Sequence, residues 1–211
     1  MLFAHWPADP AAIARLLPSG VEPDEHEGSA WVGIVAFVMT GTRSALWPGL
    51  PALTPIPELN VRTYVRVGGV PAVWFLSLDA SSPFFVAVGR TLYGLRYHLA
   101  RMTTFADGER VHYLSVRDDV AFAASYHPAG APTRARPGSL DHFLVERYLL
   151  FSERRGRLIT AQVEHAPWLL QPAEAQIELN HMAPAGLSFS GQPLLHFSRG
   201  VDARISAPVS A

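Results

Sequence analysis

Two alternating runs, ELNVRTYVRV (Glu58 to Val67) and VPAVWFLSLDA (Val70 to Ala80), are separated only by Gly68 and Gly69. Glycine tolerates the positive φ that a tight hairpin turn demands, so the spacing predicts two adjacent antiparallel strands. Side chains alternate along a strand, which puts Leu59, Val61, Thr63 and Val65 on one face and Glu58, Asn60, Arg62 and Tyr64 on the other. The polar face either meets water, as in many antiparallel sheets, or lines an internal cavity. In a cavity, a buried Glu and Arg must pair with each other or bind something.

The rest of the chain reads as further strands with two or three helices. Asp9 followed by Pro10 opens a short helix that runs to Leu17 before Pro18 and Gly20 end it. SAWVGIVAFVMTG is a buried strand, and the proline-rich TRSALWPGLPALTPIP after it is a long loop of the kind that forms lids or binding loops. Ser82 and Pro83 start a helix, FFVAVGRTLYG, apolar on nearly every face and therefore expected to be packed inside the fold. RVHYLSVRD and VAFAASYHP are strands, Ser139 caps a helix over LDHFLVERY, and LLFSERRGRLITAQVEHAPW is a hairpin turning at Arg155 and Gly156. Short strands are expected through LSFSG and LLHFSRGVDARIS. With no repeat or linker, residues 1–211 read as one mainly β domain, a barrel or sandwich.

Several chemistries are excluded. The chain has no cysteine, and all 17 of its basic residues are arginine. Disulfides, thiolates, a Walker A loop, pyridoxal enzymes and Schiff-base decarboxylases all need a side chain that is absent, and arginine holds its proton too tightly to replace lysine. The net charge of -1 gives no reason to expect nucleic acid or an acidic membrane as partner. The nine histidines include no i, i+2 or i, i+4 pair, and no metal or other cofactor is expected. The acidic EPDEHEG lacks calcium-loop spacing and reads as a solvated turn. The first ten residues have no basic region or long apolar run, so no signal peptide is expected and a cytoplasmic location follows. In QVEHAPW, Glu164 and His165 mark either a cavity rim or a strand end stiffened by proline.

Taken together, the segments resemble a known family. GRTLYGLRYHL, the opening DPAAIARLLPSGVEPDEHEGSAWVGIVAFV and IPELNVRTYV are similar to segments of acetoacetate decarboxylases. The resemblance is closer to the DUF2071, or YqjF-like, family of bacterial proteins. Its pattern E-x-N-x-R-x-Y-V appears at Glu58, Asn60, Arg62, Tyr64 and Val65, followed by RTLYGLRYHLARM, VEHAPW and VDARIS in order. The resemblance implies a cone-shaped antiparallel β-barrel with a few peripheral helices and an internal ligand cavity, and shifts the polar face of ELNVRTYV from solvent to lumen. Carried over residue by residue, the decarboxylases' Schiff-base lysine falls at Tyr97 and its neighbouring lysine at His98. Their cavity-strand glutamate is matched by Glu58. Their second glutamate falls near Gly33 and is missing, and their N-terminal arginine has no counterpart.

The expected function is therefore a small-molecule-binding or enzymatic barrel, its ligand a small organic acid or carbonyl compound, without Schiff-base decarboxylation. Glu58, Tyr97 and His98 are the candidate catalytic groups. Asn60, Arg62, Tyr64 and His165 are the candidate ligand-binding groups, with Arg62 holding an anionic group. A homo-oligomer is left open. The rival expectation is a non-catalytic protein whose barrel core is filled by a polar network.

Overall fold

The computed structural model describes residues 1–41 and 55–211. The proline-rich loop expected over TRSALWPGLPALTPIP falls largely on residues 42–54, outside those described. The strands are β1 (Leu2–Ala8), β2 (Glu22–Pro23), β3 (Ala30–Met39), β4 (Ile56–Val67), β5 (Val70–Ala80), β6 (Tyr97–Leu99), β7 (Arg101–Asp107), β8 (Arg110–Arg117), β9 (Val120–Pro128), β10 (Thr133–Arg134), β11 (Leu149–Arg154), β12 (Arg157–His165), β13 (Leu169–Asn180), β14 (Leu194–Phe197), β15 (Ala203–Ile205) and β16 (Val209–Ser210). The helices are α1 (Pro10–Ala14), α2 (Pro83–Tyr93) and α3 (Leu140–Val145).

One large sheet runs in the order β15-β12-β11-β5-β4-β3-β1-β14-β13-β9-β8-β7. The β4–β5 hairpin turns at Gly68 and Gly69, both at positive φ, and a register shift between Val61 and Arg62 interrupts its ladder. The sheet is mixed rather than purely antiparallel, because β5 pairs in parallel with β11 and with β6. Ala100 alone separates β6 from β7, so the far end of the strand path returns to β5 and the sheet curls. Inside the curl lies the largest apolar core, with Leu2, Trp6, Ile34, Leu59, Val61, Val65, Trp74, Phe122, Tyr126 and Phe197 among its members.

The opening residues, to which the sequence assigns no element, form β1 between β3 and β14. The twelve-residue β13 is likewise absent from the sequence expectation, whereas LSFSG forms no strand. Helix α1 ends at Ala14, earlier than Leu17, with the Asp9 carboxylate accepting from the Ala11 N–H at 3.0 Å. Helix α2 corrects the expectation of a helix packed on all sides. Val86 and Gly89 are buried, but Phe84 and Ala87 are exposed, so it lies on the sheet with one edge inward. No helix among the described residues is long and apolar enough to cross a membrane.

Candidate functional site

The polar face of β4 is buried, and it points away from the largest apolar core. Leu59, Val61 and Val65 enter that core, whereas Tyr64 packs with Phe3, Val35, Leu144 and Val145 beneath α3. Glu58 and Asn60 stand beside Ala80 and Leu78, which pack with Val86 of α2 and with Tyr97. The lumen expectation therefore needs correcting in one respect. The row is covered by helices, on the opposite side of the strand from the apolar interior.

Under α2, the Tyr97 hydroxyl donates to Glu58 Oε2 at 2.7 Å, and both residues are about 5% exposed or less. Loss of water pushes the Glu58 carboxyl up to about 7, although hydrogen bonds from Tyr97 and Asn60 act in the opposite direction. Burial, and then the charge and hydrogen bond of Glu58, hold the Tyr97 phenol well above its ordinary value. Phe85 meets the Tyr97 ring edge-on at 5.5 Å, and the Arg90 guanidinium donates to the Tyr97 carbonyl at 2.6 Å. The pair thus combines a carboxyl balanced near neutrality with a phenol that keeps its proton, the requirements for general acid–base work.

Helix α2 reaches Tyr97 because position 89 is glycine. A Cβ there would sit inside the van der Waals envelope of Tyr97 Cδ2 and Cε2. Gly89→Ala is expected to displace the ring and to cost about 2 kcal/mol through overpacking, more than the gain in helix propensity returns. Urea unfolding checks this, and a stabilised variant would contradict the packing.

Under α3, the Tyr64 hydroxyl and His5 Nε2 lie 2.7 Å apart, both side chains fully buried. His5 fits because position 33, facing it across the β1–β3 ladder, is glycine; a Cβ there would lie 2.5 Å from His5 Cδ2 and 2.8 Å from Nε2. Burial, then the charges of Arg62 and His196, hold the His5 imidazole well below its usual range. The Arg62 guanidinium lies 5.6 Å from the Phe3 ring centre and 5.9 Å from that of Tyr64. Its Nη2 donates to the Leu144 carbonyl at 3.4 Å. Arg147 stacks on Phe143 at 4.3 Å and is tied to Asp24 at 2.7 Å, and Asp24 also takes Arg66 at 2.7 Å.

The candidate residues therefore form two groups. Glu58, Asn60 and Tyr97 lie together beneath α2, and Arg62 and Tyr64 lie together beneath α3. His98 belongs to neither. It pairs with Asp79 across the β5–β6 ladder and alternates to the opposite face from Tyr97, where burial and Arg117 lower its pKa while Asp79 raises it. His165 is partly exposed and stacks on Tyr148 at 4.7 Å beside Trp168, which places it at the rim of the α3 cluster. His5, His196 and Asp24 escaped the sequence reading. Asp24 lies in the acidic segment read as solvated, yet it is 3% exposed. Two surface cavities, of about 410 and 240 Å³, are lined by Ser81, Leu99, Arg101 and Arg117 and by Trp74, Leu95, Arg96 and Glu153 respectively, and neither touches Glu58. No group of three or more metal-ligating side chains occurs among the described residues.

This curled sheet with its covered polar strand is the fold of acetoacetate decarboxylase-like proteins. The enduracididine biosynthesis enzyme MppR, solved in complex with pyruvate, superposes with a TM-score of 0.70 at 14% identity, covering 99% of this chain and 86% of its own. The acetoacetate decarboxylase of Legionella pneumophila gives 0.65 at 14%, covering 100% and 84%, and an acetoacetate decarboxylase-like enzyme from Sphingomonas wittichii RW1 gives 0.67 at 15%, covering 100% and 89%. The chain belongs to the DUF2071 family, described as "Uncharacterized conserved protein", whose model matches residues 1–202. The relative "Uncharacterized protein YqjF" of Bacillus subtilis (strain 168) is 40% identical over 207 residues, which is 96% of this chain and 86% of that protein.

Proposed function

We propose that the chain binds a small carbonyl compound or organic acid in the cytoplasm, that Glu58 exchanges a proton with it and that Tyr97 hydrogen-bonds its oxygen. The observation that carries this reading is the Tyr97–Glu58 hydrogen bond, set where the decarboxylase resemblance aligns a nucleophilic lysine. With no lysine in the chain, the carbonyl is not converted to an imine. Glu58 removes a proton from the carbon beside the carbonyl, that C–H bond breaks, and the electron pair moves onto oxygen as an enolate. Once Glu58 has taken the proton, the Tyr97 hydroxyl turns its single hydrogen from Glu58 to that oxygen. Asn60 orients the Glu58 carboxyl.

Pyruvate, the ligand in the similar MppR structure, is the first probe. In D2O the protein is expected to accelerate deuterium exchange at the pyruvate methyl group, followed by proton NMR. Glu58→Gln is expected to slow that exchange on the order of a hundredfold, within the usual contribution of a positioned base. Exchange at the buffer rate with wild-type protein would end the proton-transfer reading. The close cover over Glu58 supports the rival, a polar network that fills the core. That rival gains if neither pyruvate nor acetoacetate binds while Tyr97→Phe lowers stability.

A further inference from the structure

Beneath α3, three nitrogen-bearing side chains gather around one phenylalanine. The Arg62 guanidinium reaches from β4 past β3 to lie over Phe3 of β1. His5 stacks on the same ring at 6.2 Å with an interplanar angle of 19°. His196 of β14 is the register partner of Phe3. Trp168 closes the fourth side, edge-on at 5.3 Å.

Each of the three carries a buried nitrogen with no hydrogen-bond partner among the described residues: Arg62 Nε, His5 Nδ1 and His196 Nδ1. Buried polar atoms are nearly always satisfied, so three orphans around one ring mark a missing partner. Arg62 makes no ion pair with a carboxylate among the described residues, in contrast to Arg147 and Arg66, which share Asp24. Its Nε and Nη2 form the edge of the guanidinium that receives a two-oxygen acceptor, and among the described residues the hydrogen bond on that edge is the long one to Leu144. His5 Nε2 is engaged by Tyr64, so when the phenol donates there, Nδ1 carries the proton and is a donor. His196 contacts Asp141 through Nε2 at 3.2 Å; burial lowers its pKa while Asp141 raises it, and an anion beside the ring favours the form protonated at both nitrogens, in which Nδ1 donates.

We infer that His5, Arg62 and His196 form a buried site for one small carboxylate, with its two oxygens on the Arg62 edge and the histidine nitrogens beside them. The site is separate from the Glu58–Tyr97 pair, since Glu58 and Arg62 stand four residues apart, roughly 13 Å along an extended strand. An acid as short as pyruvate cannot span both. The inference shares with the proposed function only the class of ligand, and it assigns the acidic group a place of its own.

The test uses the full chain with formate and acetate as probes and chloride as control. Side-chain nitrogen NMR of the histidines is recorded through the titration. Saturable shifts of His5 and His196, with His98 beside the α2 pair unmoved, are expected for both carboxylates. Arg62→Gln is expected to weaken binding about tenfold or more, because a neutral amide cannot replace a charged two-pronged contact, whereas Glu58→Gln retains it. The absence of saturable shifts in wild-type protein means that water fills the site, and overturns the inference without reference to any variant. Loss in Glu58→Gln but not in Arg62→Gln also overturns it, by moving the acid to the α2 pair. The pyruvate exchange experiment reads the α2 pair separately, so either result stands without the other.

Discussion

Glu58→Gln is expected to stabilise the protein above pH 7 by about 3 kcal/mol and to flatten the pH dependence of stability on the acid side of that point. Folding raises the Glu58 pKa from 4.5 to about 7. Across that window the folded chain keeps a proton that the unfolded chain has released. The folded state therefore binds more protons, and its stability falls as pH rises, levelling off once the folded carboxyl has also ionised. Glutamine holds the same shape and still accepts from Tyr97, but it carries no charge to desolvate. Urea unfolding of both proteins at pH 5 and pH 8 isolates the effect, because the buried histidines titrate alike in each and cancel in the difference. A variant no more stable than wild type at pH 8 would show that the buried carboxylate is compensated by contacts other than Tyr97 and Asn60.

Asp24→Ala should be the most damaging single change, costing about 3–5 kcal/mol. Asp24 takes Arg66 through one oxygen and Arg147 through the other, and the Arg147 side chain is only 7% exposed. Removing the carboxylate strands the Arg147 guanidinium among Tyr64 and Phe143 with, among the described residues, only the Phe143 carbonyl, at 2.8 Å, to receive it. Burial already lowers the Arg147 pKa, and Asp24 is the first influence that offsets it. The double variant Asp24→Ala/Arg147→Met should recover much of the loss, since it removes the stranded charge together with its partner. Thermal unfolding of the two variants side by side distinguishes this from simple loss of packing, for which the double variant would be the worse of the two.

The β4–β5 hairpin is legible because alternation and the Gly-Gly turn are local signals that agree. β13 is not: LLQPAEAQIELN is rich in Gln, Glu and Ala and contains a proline, so its strand state comes from pairing with β9, β10 and β14 rather than from propensity. Helix α2 departs from the expectation because an apolar composition does not state which side the sheet will cover. The candidate site follows the same division. Periodicity groups Glu58, Asn60, Arg62 and Tyr64 correctly on one face, but it cannot say what covers them. Tyr97 meets Glu58 across 39 residues and His5 meets Tyr64 across 59, and each contact depends on a glycine opposite, Gly89 or Gly33. Tyr97 and His98 are adjacent on one strand, so only one of them can face Glu58, and adjacency does not say which.

The fit of His5 against Gly33 also constrains how this chain can change over generations. An imidazole at position 5 and any side chain at position 33 compete for the same space. The decarboxylase resemblance places a glutamate near position 33, so a lineage moving between the two states crosses an epistatic barrier. A side chain gained at 33 while His5 remains forces a clash in a fully buried strand pair. The accessible mutational path trims position 5 first, surrendering the Tyr64 contact before any acid can be introduced. Positions 5 and 33 should therefore covary among relatives, with histidine at one predicting glycine at the other.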